Sequence, residues 1–347
     1  MRSLTSIRAR YLGIVTPPLA VATTVTALLI SGPPASAAAP PRPAPAAALG
    51  TAAALGTVAA PASVASMALG AAAVAPARLA ARTVEDEAVD GFVDAPVDGL
   101  DSPDVLARVV RFKGAAFDTC QAPALATMTA WRSSSYRGVG VYFGGRGRAC
   151  PHQQHLSRSW LANVDGMGWR VLPIFVGSQS PCVWSEAKRK VRMSSHSATQ
   201  GRAEGKQAAG QAQLLGIRPG SALYLDMEAY DADDARCART TLDFVRAWNR
   251  EVRGQGYLPG FYSSAGSGVL HMERARRAGQ SDLPSVMWFA RWGSSSSVYG
   301  EPSLHADAWR PHRRVHQYAG NVTETHGGRR MVVDRNTVDA PVARFEP

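Results

Sequence analysis

The sequence lacks the short motifs that mark several common classes of protein. No two of its four cysteines have the Cys-x-x-Cys spacing of a zinc site, and no Gly-x-Ser-x-Gly elbow is present. The glycine-rich stretch Ser264–Gly268 has no Gly-Lys-Ser/Thr ending, so it does not predict a phosphate-binding loop. Lysine and arginine form no run interleaved with aromatic residues, which is the pattern that nucleic-acid binding favours. We therefore predict no nucleic-acid partner and no cofactor.

Charge is scarce between residues 38 and 84, where Arg42 is followed by no charged residue until Arg78. Ala, Pro, Gly, Val and Leu dominate this stretch without a periodic polar face, which is typical of a flexible spacer. Residues 85–105 are acidic and still punctuated by Pro and Gly. We predict a disordered, low-complexity Ala/Pro-rich linker over residues 38–110.

The first residues have the pattern of an export signal. A basic start is followed by an apolar run from Tyr11 to Ile30 and by the small residues Ala35-Ser36-Ala37. This predicts a signal peptide over residues 1–37; an uncleaved membrane anchor is the alternative, and the Sec and twin-arginine routes both stay open. Cleavage would lower the formal net charge from +11 to +8, because three arginines leave with the signal. Anionic surfaces attract a basic exported protein, so we predict a secreted or cell-wall-associated protein without stable membrane insertion.

Short apolar or aromatic runs alternate with helical stretches from Lys113 onward, which is typical of βαβ units and a parallel sheet. We predict strands at Lys113–Thr119, Gly138–Gly144, Arg170–Gly177, Ala222–Ala229, Leu258–Ser264, Ser285–Trp292, Arg314–Ala319 and Met331–Arg335. We predict helices at Ala124–Arg132, Leu156–Gly166, Thr199–Leu215, Asp234–Gly254 and Val269–Ala278, and a loop over residues 293–312.

Eight strands in residues 111–347 predict an α/β fold, namely a single-domain (β/α)8 TIM barrel, whose usual length is ~250 residues. An open doubly wound sheet is the alternative. That fold would carry a Gly-rich loop after the first strand, where this chain has Phe117-Asp118-Thr119-Cys120.

Acidic residues lie at the ends of three predicted strands. Side chains two residues apart on a strand share a face, so Tyr224, Asp226 and Glu228 point the same way, towards the barrel mouth. Asp118 ends the first strand and Asp334 lies in the eighth, its neighbour in a closed barrel. We predict that these four carboxylates form a catalytic ring.

A pair of carboxyl groups can catalyse cleavage of a glycosidic bond, because one protonates the leaving oxygen and the other stabilises charge or activates water. Two neighbouring carboxylates repel each other, which raises the pKa of one of them and keeps it protonated near neutral pH. We predict Glu228 as this acid and Asp226 as its stabilising partner. Clustered carboxylates could also hold a metal, but nothing fixes a ligand spacing, and we predict none. Amide and aromatic side chains at the same mouth are predicted to contact a glycan: Tyr224, Tyr262, Trp292, Gln317 and Tyr318.

Four cysteines in an exported chain predict two disulfides, and three pairings exist. Cys120 and Cys150 follow the adjacent strands one and two, while Cys182 and Cys237 follow the adjacent strands three and four. We therefore predict the bridges Cys120–Cys150 and Cys182–Cys237.

The motifs GAAFDTCQAPALATMTAW, GVYFGG, LPIFVGSQSPC, SALYLDMEAYD, GFYSSAGSG and HQYAGN together resemble a known family. It is the bacterial glycoside hydrolase-like domain once catalogued as domain of unknown function 1906, over about residues 112–340. This family is similar in turn to family 25 glycoside hydrolases, the barrel lysozymes that cut peptidoglycan. The resemblance implies that Asp118, Asp226, Glu228 and Asp334 match the acidic cluster of those lysozymes, with Glu228 at the position of the general acid.

The same resemblance implies that Trp292 and Gln317-Tyr318 lie near substrate-lining positions, whereas the loops Gly145–His155 and Ser178–Ser197 differ from the lysozyme pattern. We predict a monomeric, lysozyme-like glycosidase acting on peptidoglycan or another extracellular polysaccharide. The alternatives are a barrel that binds glycans in cell-wall organisation without cleaving them, and an unrelated surface protein that uses the barrel only as a scaffold.

Overall fold

The computed structural model describes residues 109–345 of the chain. The predicted signal peptide at residues 1–37 lies outside the described residues, as does the predicted linker up to residue 108. Within residues 109–345, no helix combines the length and apolar character needed to cross a bilayer.

Within the described residues, eight strands close into a barrel in which each strand pairs with the next along the chain and the last pairs with the first. The strands are β1 (Arg111–Asp118), β2 (Gly138–Gly144), β3 (Arg170–Phe175), β4 (Ala222–Asp226), β5 (Leu258–Ser264), β6 (Val286–Ala290), β7 (Arg314–His326) and β8 (Arg329–Pro341). The α-helices are α1 (Leu125–Trp131), α2 (Arg158–Gly166), α3 (Ser197–Leu214), α4 (Ala235–Gly254) and α5 (Leu270–Arg277), with a 3-10 helix at Glu186–Val191 and a π-helical turn at Ala265–Val269. The predicted eight-stranded α/β barrel is confirmed.

The direction of β8 differs from that of a fully parallel barrel. Strand β8 pairs antiparallel with both β7 and β1. The cause is the connection: Gly327 and Gly328, with φ of 55° and 74°, form a tight turn between β7 and β8 that leaves no room for a crossover helix. Both strands have 13 residues and extend well beyond the predicted ranges, so the hairpin continues past the barrel.

Strand alternation divides the apolar residues of the barrel into two clusters. On β4, Leu223 and Leu225 belong to the layer between sheet and helices, whereas Tyr224 packs inside the barrel. Tyr224 and Trp288 meet edge to face there, with ring centroids 5.3 Å apart. A Cβ on Gly140 would lie 2.6 Å from the Cβ of Asp118, so a glycine is needed beside this aspartate. The packed interior is therefore the floor beneath the barrel mouth.

The disulfides Cys120–Cys150 and Cys182–Cys237 are both formed, with Cα atoms 5.7 and 5.9 Å apart. The predicted pairing is confirmed. The first bridge joins the segments that follow β1 and β2, and the second joins the segment after β3 to the start of α4. Both bridges constrain connections on the side of the barrel where the parallel strands end.

Candidate functional site

The four predicted carboxylates come together in one pocket. Asp118 is the last residue of β1 and pairs in register with Asp334 of β8, while Asp226 is the last residue of β4. Glu228 follows two residues after β4 ends. All four line a pocket of about 700 Å³. The antiparallel β8 contributes to the mouth from mid-strand, since it crosses the level where β1 ends.

Asp118 is held by three hydrogen-bond donors. Its Oδ2 accepts from the hydroxyl of Tyr142 at 2.7 Å, and its Oδ1 accepts from Asn336 at 2.7 Å and from Gln317 at 3.1 Å. Burial raises the pKa of Asp118 to about 6, and the neighbouring Asp334 adds to the rise, although the three hydrogen bonds oppose it. Asp118 is therefore fixed in position and poorly solvated.

Asp226 has fewer compensating contacts. Its side chain is buried, and its Oδ1 has no hydrogen-bond partner among the described residues. Burial raises the pKa of Asp226 to about 8; Glu228 and Asp118 raise it further, while Lys188 lowers it. A carboxyl in this environment retains its proton at neutral pH.

Glu228 lies closer to solvent, with a side chain that is 37% exposed. The ammonium of Lys188 lies 3.4 Å from its Oε1 and also donates to the carbonyl oxygen of Gly147 at 3.0 Å. Opposite charges at this distance attract, so Lys188 stabilises the ionised carboxylate. The two members of the Asp226–Glu228 pair thus have different environments.

Gln179 fixes the backbone that carries this pair. Its Nε2 donates to the carbonyl oxygen of Asp226 at 2.9 Å, and its Oε1 accepts from the backbone N–H of Glu228 at 2.8 Å. The neighbouring Ser178 is anchored by Glu204, which accepts from both its backbone N–H and its hydroxyl. The chain at Asp226 and Glu228 is therefore tied by two hydrogen bonds to the segment that follows β3.

Gln317 is the hydrogen-bonding centre of the opposite strands. Its Nε2 lies 3.1 Å from Asp118 Oδ1 and 3.4 Å from Asp334 Oδ2, so it donates between the two carboxylates. Its Oε1 accepts from the Tyr262 hydroxyl at 2.9 Å and from Trp292 Nε1 at 3.0 Å. Trp292 is 54% exposed and lies against Gly320. An exposed indole beside a polar pocket is a surface on which a sugar ring can stack.

Among the residues predicted to contact a glycan, Tyr224 and Gln317 are fully buried, and Tyr318 does not line the carboxylate pocket. Tyr224 is fully buried in the barrel and donates its hydroxyl to the carbonyl oxygen of Pro341, so it cannot touch a substrate. Tyr318 is half-buried beside the ring of His316 and has Arg335 and Glu324 as its charged neighbours. Strand alternation explains this position, since Gln317 points inward and the next side chain points outward.

Several residues that line the pocket or hydrogen-bond to its acidic residues were not predicted from the sequence. Tyr142 and Asn336 were detectable, because alternation along β2 and β8 places them on the inward face. Gln179 and Arg148 lie in irregular segments after β3 and β2, and Lys188 lies in a short 3-10 helix, Glu186–Val191, so no strand periodicity predicts the direction of these side chains.

A closed α/β barrel with carboxylates gathered at its mouth defines the class, a glycoside hydrolase-like barrel protein. The family described as "Rv2525c-like, glycoside hydrolase-like domain" matches residues 129–338, and the chain belongs to this family. The resemblance drawn from the sequence motifs is thereby confirmed.

Solved structures with a similar fold include three bacterial proteins. The Tat-secreted protein Rv2525c of Mycobacterium tuberculosis, in complex with L-tartrate, is 17% identical with a TM-score of 0.45, over 65% of this chain and 96% of that chain. An uncharacterized B. stearothermophilus protein is 19% identical with a TM-score of 0.42, over 65% and 99%. The spore cortex lytic enzyme SleM of Clostridium perfringens is 10% identical with a TM-score of 0.44, over 65% and 67%. No curated protein matches the chain.

Proposed function

We propose that this protein is a glycoside hydrolase that acts on a cell-wall or other extracellular glycan by carboxylate acid/base catalysis. The observation that carries the proposal is the convergence of Asp118, Asp226, Glu228 and Asp334 on one pocket, with Asp226 Oδ1 buried and unpartnered in the described structure. Burying carboxyl groups without compensation is unfavourable and is typical of functional sites rather than of structural ones.

The environments of the pair assign the proton. Burial favours the neutral form of Asp226, while Lys188 stabilises the charge of Glu228. In our proposal, Asp226 therefore protonates the leaving oxygen, and Glu228, beside the ammonium of Lys188, stabilises positive charge on the sugar or activates water. This reverses the roles predicted from the length of the two side chains.

One observation favours the alternative of a barrel that binds glycans without cleaving them. The ion pair between Lys188 and Glu228 occupies the more exposed carboxylate, and a substrate would have to share it. Glycan binding through the exposed Trp292 would not need that carboxylate to be free. The experiment that separates the two functions is therefore turnover, with binding measured in parallel.

Both candidate functions require an exported protein. Disulfides persist in oxidising compartments, and this chain forms two of them. The basic composition, with a formal net charge of +11 for the full chain, favours retention near anionic wall polymers. We place the protein outside the cytoplasm, secreted or associated with the cell wall, with peptidoglycan or a related polysaccharide as its partner.

Glu228→Gln is expected to reduce the release of sugar products from purified wall glycans by about 100-fold or more, as loss of an acid/base or charge-stabilising group does. The amide keeps the shape of the side chain and its position but removes the charge, so folding and glycan binding should survive. Chromatography of the products after digestion measures the effect. Glu186→Gln, on an exposed glutamate at the start of the short 3-10 helix that carries Lys188, is the matched control. Absence of products from the wild type across a panel of wall glycans would refute hydrolysis and leave glycan binding.

Lys188→Met is expected to move the alkaline limit of activity to higher pH. Activity that needs protonated Asp226 falls as pH rises through its pKa of about 8, and the positive charge of Lys188 lowers that pKa. Removing the charge lets the carboxyl keep its proton further into the alkaline range. The profile of kcat against pH measures the shift, with the exposed Lys190→Met as control. An alkaline limit that stays in place or moves down would show that Asp226 is not the group that titrates.

A further inference from the structure

Arg148 lines the same pocket as the carboxylates, yet no carboxylate pairs with it among the described residues. Its guanidinium donates only to main-chain carbonyl oxygens, to that of Gly145 at 3.2 Å and to that of Tyr142 at 3.4 Å. Burial lowers the pKa of Arg148, which means that the protein loses solvation of this charge without gaining an ion pair. An anionic ligand would supply the missing partner.

The loop that carries Arg148 is fixed in place. Cys150, two residues further on, is bonded to Cys120, and Gln153 donates to the carbonyl oxygens of both cysteines, at 2.8 and 3.0 Å. The carbonyl oxygen of Gly147 accepts from Lys188. The guanidinium is therefore held at the pocket by several contacts and does not depend on a free loop.

A second pocket adjoins the carboxylate pocket. Gln121 and Met331 line both the carboxylate pocket and a neighbouring pocket of about 430 Å³. The second pocket is lined by His155, Arg329 and Arg330, and it has no acidic residue in its lining. We call the two adjoining pockets the cleft. The first pocket holds the four carboxylates together with Arg148 and Lys188, and the second holds Arg329 and Arg330.

The two arginines of the second pocket come from a positioned hairpin. Arg329 and Arg330 follow the Gly327-Gly328 turn at the start of β8. Trp131 of α1 donates its indole N–H to the carbonyl oxygen of Arg329 at 2.8 Å, and Gly327 lies against the backbone of Ala130. Both guanidinium groups are exposed beside the cleft, with no ion pair to a described residue.

We infer that the cleft takes a glycan whose sugar residues carry carboxylate groups, with Arg148 as the partner of a carboxylate beside the reacting carboxyls and Arg329 and Arg330 as partners further along. This inference rests on the proposed glycan substrate and adds its chemical class. Guanidinium groups pair with planar carboxylates through two parallel hydrogen bonds, which gives direction as well as attraction. A neutral glycan would leave three cations along the cleft without a partner.

A binding experiment tests this inference separately from the proposed hydrolysis, because binding can be measured without turnover. A tetrasaccharide of galacturonic acid and its carboxyl-reduced, neutral counterpart would be titrated into the full chain by calorimetry at low salt and at higher salt. The acidic tetrasaccharide is expected to bind at least about tenfold more tightly, and added salt should reduce that preference. Equal affinity for the two tetrasaccharides, or binding of neither, would overturn the inference.

Arg148→Gln and Arg330→Gln are each expected to remove most of the preference for the acidic tetrasaccharide while leaving the affinity for the neutral one unchanged. Arg330 is exposed, so its variant keeps the test valid even if Arg148→Gln folds poorly. Arg277→Gln, on the last residue of α5, is the charge-matched control and should keep the full preference. A preference that survives both cleft substitutions, or that Arg277→Gln removes equally, would show that net charge rather than the cleft is responsible.

A phosphate polymer is the remaining anion to separate from a carboxylate. Poly(glycerol phosphate) would compete against the acidic tetrasaccharide in the same titration. Weak competition at equal anion concentration supports the carboxylate assignment. Tighter binding of the phosphate polymer than of the galacturonate would overturn it.

The outcome for hydrolysis is independent of these titrations. Product release from wall glycans, with Glu228→Gln as reference, decides the proposed function even if the galacturonate shows no preference. Conversely, if the protein prefers the acidic tetrasaccharide but releases no product, the inferred class of ligand stands and only the proposed hydrolysis is refuted.

Discussion

Asp226→Asn is expected to stabilise the folded protein, and to do so far more at pH 9 than at pH 4. Burial raises the pKa of this carboxyl in the folded state to about 8, whereas an unfolded chain has an aspartate pKa near ~3.9. Between these two values the folded state binds a proton that the unfolded state has released. The free energy of unfolding therefore falls as pH rises from about 4 to about 8, and an asparagine, which does not titrate, removes that fall.

The size of the stability gain follows from the difference between the pKa of Asp226 in the folded state and in the unfolded state. Each pKa unit corresponds to about 1.4 kcal/mol, so the pH-dependent gain for Asp226→Asn should be on the order of 3–5 kcal/mol above pH 8 and near zero below pH 4. Urea denaturation at a series of pH values measures it. The same variant should lose turnover, because an amide cannot supply the proton. Greater stability with less activity is the combination expected when a buried group serves function rather than folding.

Asp243→Asn is the matched control for this measurement, since Asp243 is exposed on α4. Its unfolding free energy should follow that of the wild type across the pH range. A result in which Asp226→Asn destabilises the protein at pH 9 would mean that the carboxylate, in its ionised form, makes a favourable contact in the folded state. That outcome would remove the basis for treating Asp226 as the proton donor.

Removing the disulfide between Cys182 and Cys237 by double replacement with alanine is expected to destabilise the protein by about 4 kcal/mol. The bridge closes a loop with a sequence separation of 55, and its loss lets the unfolded chain explore many more conformations. The bridge between Cys120 and Cys150 has a separation of only 30, so its removal should cost about 0.5 kcal/mol less. Urea denaturation of both double variants gives the two values.

The reduced wild-type protein is the control for the disulfide variants, since reduction removes both bridges without changing volume in the core. Its loss of stability should approach the sum of the two double variants. A negligible loss for Cys182→Ala with Cys237→Ala would show that the loop is ordered by its other contacts alone. Among those contacts is the hydrogen bond from Thr241 to Ser180, which joins the same two segments at 2.9 Å.

Much of the fold and the acidic centre of the site follow from the sequence because both depend on the strands, along which side chains alternate between two faces. Alternation along β4 identified Asp226 and Glu228 as a pair, and adjacency of the first and last strands placed Asp118 beside Asp334. Adjacency of strands one and two, and of strands three and four, gave the two disulfides. These inferences hold because a closed barrel restricts which strand ends can meet.

Other features depend on information that strand alternation does not contain. Alternation gives the face of a side chain but not its depth, so Tyr224 was expected at the mouth although it lies in the packed interior. The reversal of β8 follows from the turn at Gly327 and Gly328, whereas we had treated the eighth strand as parallel like the rest. Lys188 reaches the pocket from a short 3-10 helix and Gln179 supports it from the loop after β3, and only tertiary contacts decide where these side chains point.

The β7–β8 hairpin has a further consequence for how a polymer would enter. Met331, Val332 and Val333 of its second strand form one wall of the carboxylate pocket, and cross-strand hydrogen bonds hold this ribbon in shape over residues 322–333. A wall made of paired strands already has its bound conformation before a ligand arrives, so little conformational entropy is lost on that side. Association should then be governed by the rate of encounter rather than by closure of a lid, and stopped-flow binding should show a single phase whose rate rises linearly with glycan concentration.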